Sequence, residues 1–157
     1  PIHGGGMGPS MMSGKLAAET AALAIEKGDV SRRGLWQYNF DYMQNYGAKQ
    51  AGLDIFRIFL QGLSNEEIDF GMKHQLIRRE DVLKTSLKGE LKLRITDKTI
   101  RVIRGLRRLG FLNQLKFTAD MMKELKRLHQ RYPEPDGFEN WRQQVRQVYA
   151  KMRERLL

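Results

Sequence analysis

Apolar residues recur every three or four positions along most of this sequence, a spacing that places them on one face of an α-helix. The apolar runs are separated by helix breakers, of which Gly28 and the proline- and glycine-containing stretch at 132–137 are the clearest. The sequence therefore predicts an all-α fold of about six helices. Three of them cover about residues 9–27, 32–63 and 137–155, and others begin near Ser64, near Glu80 and at Thr96.

Two stretches depart from this simple periodicity. Gly47 and Gly52 weaken the middle of the long second helix by about 1 kcal/mol each relative to alanine. We therefore expect a kink or break over residues 46–52, or the close approach of another group. Residues 90–95 alternate between polar and apolar, so a short strand is the second interpretation there, after a helix that continues through Leu93.

Positive charge is concentrated in one part of the chain. The formal net charge is +10, and residues 73–131 contain 17 lysines and arginines against 6 acidic residues. Such an excess favours an anionic partner, although a solvated basic face explains it equally well. The predicted helix that carries Ile100, Ile103 and Leu106 also carries four arginines, a pattern suited to the surface of an anionic membrane. These arginines are Arg101, Arg104, Arg107 and Arg108.

Composition excludes several classes of protein. The chain has no cysteine, so disulfides and thiolate metal sites are ruled out, and its three histidines are too far apart in sequence to predict a metal site. No apolar run is long enough to cross a membrane, and no signal peptide is recognisable, so we expect a cytoplasmic protein with the basic helices as its candidate membrane contact. Nucleic-acid binding is not expected, since only Phe111 and Phe117 are available for base stacking near the arginines.

A glycine-rich stretch lies directly before the first predicted helix. Gly4, Gly5 and Gly6 remove side chains where the backbone passes close to another group, and Met7 follows them. The free N–H groups at the start of the helix and the positive end of its dipole would then face that group. An anion or a polarised ring atom is the expected guest, whereas a flexible terminal linker is the alternative interpretation of the same residues.

The longer pattern around this stretch is more specific. The letters PIHGGGM, followed six positions later by SGKLAAE, resemble the last flavin-binding segment of the geranylgeranyl reductase family of FAD-dependent oxidoreductases. The resemblance implies that Gly4, Gly5, Gly6 and Met7 contact FAD, with Met7 in place of the usual isoleucine. It further implies that residues 1–30 end a FAD-binding domain.

By the same resemblance, residues 31–157 would form the C-terminal helical domain of a larger α/β flavoprotein. The dinucleotide-binding GxGxxG unit of the family and its GD dipeptide would precede Pro1, so the isolated chain is expected to be inactive. The whole enzyme would reduce carbon–carbon double bonds of a polyprenyl lipid or a prenylated pigment with hydride from FAD. The resemblance identifies no catalytic residue in this chain.

The aromatic residues of the second predicted helix have the spacing of core residues, yet part of this group could border a polyprenyl channel. Gly47, Ala48 and Lys49 would then lie where the head group of the substrate enters. An alternative from a different class is a stand-alone basic helical module that binds nucleic acid or an anionic membrane. The aromatic group comprises Trp36, Tyr38, Phe40, Tyr42, Tyr46, Phe56 and Phe59.

Overall fold

The computed structural model describes residues 6–74, 79–91 and 109–156, and within these ranges the chain forms helices joined by turns, with no strand. The predicted all-α fold is therefore confirmed for this part of the chain. The helix predicted to begin at Thr96, with its four arginines, lies outside the described residues. The helices are α1 (Met7–Glu26), α2 (Gln37–Tyr42), α3 (Ala48–Gln61), α4 (Asn65–Lys73), α5 (Arg79–Lys88), α6 (Leu109–Gln130) and α7 (Phe138–Leu156).

The turn after α1 follows from local signals in the sequence. Gly28 adopts a φ of 69°, a left-handed conformation that glycine tolerates best, and so ends the helix as predicted. The Ser31 N–H then donates a hydrogen bond of 3.0 Å to Oδ1 of Asp29. Hydrogen bonds from Ser31 lower the pKa of the Asp29 carboxyl, because they stabilise its ionised form. The chain thereby reverses and enters α2.

The long second helix is interrupted where the sequence predicted a kink. A π-helix of five residues, Met43–Gly47, joins α2 to α3. A Cβ on Gly47 would lie 2.5 Å from Sδ of Met43, so the glycine makes room for the methionine side chain inside this wider turn. Single π-turns within α-helices occur frequently at functional sites.

The close approach predicted near Gly52 is also present. A Cβ on Gly52 would lie 2.2 Å from the carbonyl oxygen of Gly89, and Gly89 itself has a φ of 65°. Nζ of Lys126 donates hydrogen bonds to the carbonyl oxygen of Lys88 at 2.9 Å and to Glu90 at 2.5 Å. These contacts hold the end of α5 against α3 and α6.

The predicted continuation of this helix through Leu93 is wrong, because α5 ends at Lys88. The left-handed conformation of Gly89 stops the helix, and the chain turns so that Leu91 enters the core with only 3% of its surface exposed. Leu83 and Leu87, which share the four-residue spacing of Leu91, remain exposed. The strand considered for residues 90–95 lies outside the described residues beyond Leu91.

The hydrophobic core lies between α3, α6 and α7. Ile55 and Phe59 of α3 are fully buried, and a polar contact beside them joins α3 to α7. There the Tyr149 hydroxyl donates to Oδ2 of Asp54 at 2.8 Å, and Arg57 pairs with the same carboxylate at 2.8 Å. Burial raises the pKa of Tyr149, and the adjacent Asp54 carboxylate raises it further. Other core members are Ala51, Phe56, Phe111, Leu115, Met121, Met122, Leu125, Val148 and Met152.

The start of α4 is the capping box that the sequence predicts. The Glu67 N–H donates to Oγ of Ser64 at 3.2 Å, and the Ser64 N–H donates to the Glu67 carboxylate at 2.9 Å. Replacing Ser64 with alanine should destabilise this helix by about 1 kcal/mol. Hydrogen exchange of the α4 amides should accelerate about fivefold, and Ser64→Asp, which retains an acceptor at the cap, should restore protection. Unchanged exchange in Ser64→Ala would contradict the cap.

Candidate functional site

The N-terminus of α1 has backbone donors without a side-chain cap. Gly6 is the N-cap, and the first turn contains no acidic residue. Because Pro9 has no N–H, Met7 and Gly8 supply the amides of this first turn. The Met7 side chain is 84% exposed, and a Cβ on Gly8 would have nothing within 4 Å. The positive end of the helix dipole is thus accessible to a ligand.

Two of the four residues predicted to contact FAD can therefore be placed. Gly6 is the N-cap of α1 and Met7 is its first residue, so the helix begins two residues before the predicted start at about residue 9. Gly4 and Gly5 lie outside the described residues. The structure describes one of the three predicted glycines, Gly6, so the contact of this segment with FAD stays a prediction.

Most of α1 is exposed. Thr20 and Ala24 are its buried residues, and it packs chiefly against α2. A Cβ on Gly14, in the middle of the helix, would have nothing within 4 Å, so no contact within the described residues explains this glycine. The exposed large apolar residues of α1 are Met7, Met11, Met12, Leu23 and Ile25. A helix with so many exposed apolar side chains is typical of an interface.

Three tyrosine rings follow one another along α2 and the π-helix, with the first pair stacked and the second pair tilted. The rings of Tyr38 and Tyr42 lie 6.0 Å apart, those of Tyr42 and Tyr46 also 6.0 Å apart, and Nζ of Lys49 lies 4.7 Å from the centre of the Tyr46 ring. At its other end, the hydroxyls of Tyr38 and Ser13 share a hydrogen bond of 2.7 Å. We call Tyr38, Tyr42 and Tyr46 the tyrosine column. It connects α1 to Lys49.

The three side chains of the tyrosine column are half-buried. Burial raises the pKa of Tyr42 and of Tyr46, so both hydroxyls are neutral near pH 7. Residues four apart lie on one face of a helix, which accounts for the alignment of the rings. The spacing was visible in the sequence, but the bond to Ser13 was not, since it joins residues 25 positions apart.

The three residues predicted at the head-group entrance occupy different environments. Gly47 and Ala48 are buried at the junction of the π-helix and α3. Lys49 is partly exposed, with its ammonium group over Tyr46. Of the three, Lys49 alone has a side chain that can bind an anion. Gly47 and Ala48 contribute only the backbone that positions it.

The other members of the aromatic group are largely core residues, as predicted. Trp36, Phe56 and Phe59 are buried, and Nε1 of Trp36 donates a hydrogen bond of 2.8 Å to the carbonyl oxygen of Pro133. Phe40 is 40% exposed. It lines a mixed polar and apolar cleft between α1 and α2, together with Thr20 and Ala24.

The described histidines belong to packing contacts. His129 hydrogen-bonds through Nδ1 to the carbonyl oxygen of Leu125 at 2.9 Å and lies against the ring of Trp141, and burial lowers its pKa. His74 lies against Phe70, with ring centres 4.7 Å apart. Across residues 6–74, 79–91 and 109–156, no three potential metal ligands come together. Nor does any helix of these segments have the length and apolarity needed to cross a membrane.

The known proteins that this chain resembles are reductases. No protein-family model matches the chain. Curated proteins that match it are reductases of one kind, and they confirm the resemblance to the geranylgeranyl reductase family. The chain is 48% identical, over 157 residues and 99% of its length, to the digeranylgeranylglycerophospholipid reductase of Sulfolobus acidocaldarius.

Two further relatives carry related names. Digeranylgeranylglycerophospholipid reductase 2 of Methanopyrus kandleri is 34% identical over 64% of the chain, and the reductase of Methanothrix thermoacetophila is 33% identical over 68% of it. These alignments span 35%, 24% and 27% of the three relatives, respectively. The chain therefore corresponds to about a third of the length of the Sulfolobus protein.

Proposed function

We propose that this chain is the C-terminal part of a FAD-dependent reductase that saturates carbon–carbon double bonds in the polyprenyl chains of a glycerophospholipid. The open N-terminus of α1 is the observation that carries the proposal, because it stands within the segment that resembles a flavin-binding motif. The names of the relatives support the reaction and the substrate. The stand-alone basic module is not favoured, since similarity to a reductase extends over 99% of the chain.

The residues at the start of α1 fit a flavin. Within the described residues no side chain caps this helix, so the amides of Met7 and Gly8 could donate to an electronegative ring edge, and the helix dipole would stabilise negative charge beside them. Gly6 allows the backbone to approach the ring, as Gly4 and Gly5 would before it. Bound FAD would supply the hydride, and the rest of its site would come from the part of the enzyme that this chain does not span.

The exposed side of α1 supports the proposed domain division at residue 30, although its described packing is against α2. Its exposed apolar residues and the open space at Gly14 suit a helix that packs against another domain. Residues 1–30 would then complete the FAD-binding domain, and residues 31–157 would form the helical domain. In isolation the chain would lack most of the cofactor site and would be inactive.

The tyrosine column suits the substrate. Aromatic faces and neutral hydroxyls form a wall against which an isoprenoid chain can pack without exposing a charge to it. Lys49, at the end of the column farthest from Ser13, would bind the phosphate of the head group. Gly47 and Ala48 would hold that lysine in place. The protein thus positions and shields the lipid.

Lys49 can be tested with a variant that retains most of its carbon chain. Lys49→Met should raise KM for the phosphate-bearing lipid about tenfold with little change in kcat, because one charged hydrogen bond is lost from binding. For a glycerol ether without phosphate, KM should be the same in Lys49→Met and in the unmodified protein. Lys123→Met removes an exposed lysine from α6, outside the proposed site, and serves as the matched control. Equal KM values for both variants would exclude Lys49 from the head-group site.

The function itself is tested on the full-length gene product. The purified protein, reduced under anaerobic conditions, is mixed with a digeranylgeranyl glycerophospholipid, and the lipid is examined by mass spectrometry. The proposal predicts a gain of two hydrogens for each double bond reduced. A flavin-loaded protein that leaves the lipid unchanged would contradict the proposed substrate while leaving the cofactor in place.

A further inference from the structure

The outward face of α5 is apolar. Leu83 is 60% exposed and Leu87 is 66% exposed, one turn apart on the same side of the helix. Thr85 between them is 1% exposed, and each leucine lies about 160° around the helix axis from it. A helix on a water-soluble surface normally has the opposite arrangement, with leucine inward and threonine outward.

The inward face of α5 carries a polar residue, Thr85, whose burial destabilises the fold. Oγ1 of Thr85 is buried and has no hydrogen-bond partner among the described residues. A buried hydroxyl without a partner destabilises the fold, so the orientation of α5 departs from what packing alone favours. Departures of this kind are expected where a surface has a function.

The contacts beyond α5 hold it in this orientation. The carbonyl oxygen of Gly89 lies against Gly52, and Lys126 binds the carbonyl oxygen of Lys88 at 2.9 Å. Leu91, just past the turn, is buried in the core. Rotation of the helix to bury Leu83 and Leu87 would break these contacts.

Positive charge flanks the two leucines. Lys84 and Lys88 are exposed and follow Leu83 and Leu87 directly in sequence. The acidic residues of α5 lie in its first turn, where Glu80 is exposed and Asp81 is half-buried. The C-terminal half of the helix therefore presents apolar side chains with adjacent cations, the combination that binds an anionic lipid surface.

We propose that the face of α5 formed by Leu83, Lys84, Leu87 and Lys88 contacts the surface of an anionic lipid bilayer. The inference rests on the proposed function, since an enzyme whose substrate is a glycerophospholipid must reach lipid. The leucines would enter the boundary between head groups and acyl chains, and the lysines would remain at the level of the phosphates. The contact would hold the enzyme beside its substrate.

The test is sedimentation of the full-length protein with vesicles made of equal parts phosphatidylglycerol and phosphatidylcholine. Leu83→Gln/Leu87→Gln should weaken binding by about tenfold for each leucine. Lys84→Gln/Lys88→Gln should weaken it by about tenfold and reduce its dependence on salt. Val30→Gln is the matched control, because Val30 is 63% exposed in the turn between α1 and α2, and it should bind like the unmodified protein.

Flavin content and the mass of the particle in solution are measured for each variant, so that loss of membrane binding can be distinguished from loss of the cofactor or of a dimer. Vesicle binding lost only in the α5 variants, with flavin retained and circular dichroism unchanged, supports the inference. Equal binding by all variants overturns it. So does a change from dimer to monomer in the leucine variant without a change in vesicle binding, because the face would then join two copies. If the unmodified protein binds vesicles through α5 but holds no flavin, the result contradicts the proposed function and still supports the contact between α5 and the bilayer.

Discussion

Gly52→Ala is expected to lower the free energy of unfolding by about 3 kcal/mol or more. Intrinsic helix propensity alone would predict that the substitution raises the free energy of unfolding, since alanine is favoured over glycine inside a helix by about 1 kcal/mol. The added Cβ would lie 2.2 Å from the carbonyl oxygen of Gly89, a backbone atom that cannot rotate away. α3 would have to separate from the turn that follows α5, with loss of the packing around Leu91.

Thermal unfolding of the full-length protein measures this effect. The transition that includes the helical domain should fall by about 10 °C in Gly52→Ala. Gly110→Ala is the matched control, because Gly110 is an exposed helical glycine where a Cβ would meet nothing within 4 Å. It should leave the transition unchanged or raise it slightly. Identical melting of the two variants would contradict the close contact between α3 and Gly89.

Gly6→Val is expected to lower flavin affinity on the order of a hundredfold, the loss of two charge-assisted backbone contacts. Its branched side chain would stand at the N-cap of α1 and prevent a ring from approaching the amides of Met7 and Gly8. The affinity is measured by titrating FAD into full-length protein stripped of the cofactor. Met7→Ile introduces the residue usual in the family and should bind FAD normally. Equal affinity in the two variants would exclude this loop from the flavin site.

Features that depend on neighbours in sequence were predictable. The end of α1 at Gly28 and the capping box at Ser64 each depend on residues within one turn of the helix, so sequence alone specifies them. The same holds for the break at residues 132–137, where prolines cannot continue a helix. The motif over residues 1–19 was recognisable because its residues lie close together in the sequence.

Features that depend on distant residues could not be predicted in full. The glycines at positions 47 and 52 indicated a kink or a close approach, but nothing in the sequence identified Gly89 as the contacting group. The four-residue spacing of Leu83, Leu87 and Leu91 predicted one continuous stripe. The positive φ of Gly89 divides it, with Leu91 in the core and the other two outside.

The candidate site shows the same division. A helix after the glycines was predictable because the start of a helix is locally determined, although α1 begins at Met7 and not near Pro9. The contact of Gly6 and Met7 with FAD stays a prediction. The burial of Ala48 and the position of the Lys49 ammonium over Tyr46 depend on the π-helix and on α6, and no pattern in the sequence specified them. The bond between Ser13 and Tyr38 likewise required the fold.

The visible absorption spectrum of the purified full-length gene product tests the central claim most directly. We expect a flavin band at about 450 nm that bleaches when the protein is reduced. The band should return when a digeranylgeranyl glycerophospholipid is added in the absence of oxygen. Gly6→Val should lack the band, and Met7→Ile should retain it. A colourless protein that takes up no FAD would contradict this claim and favour the alternative of a basic helical binding module.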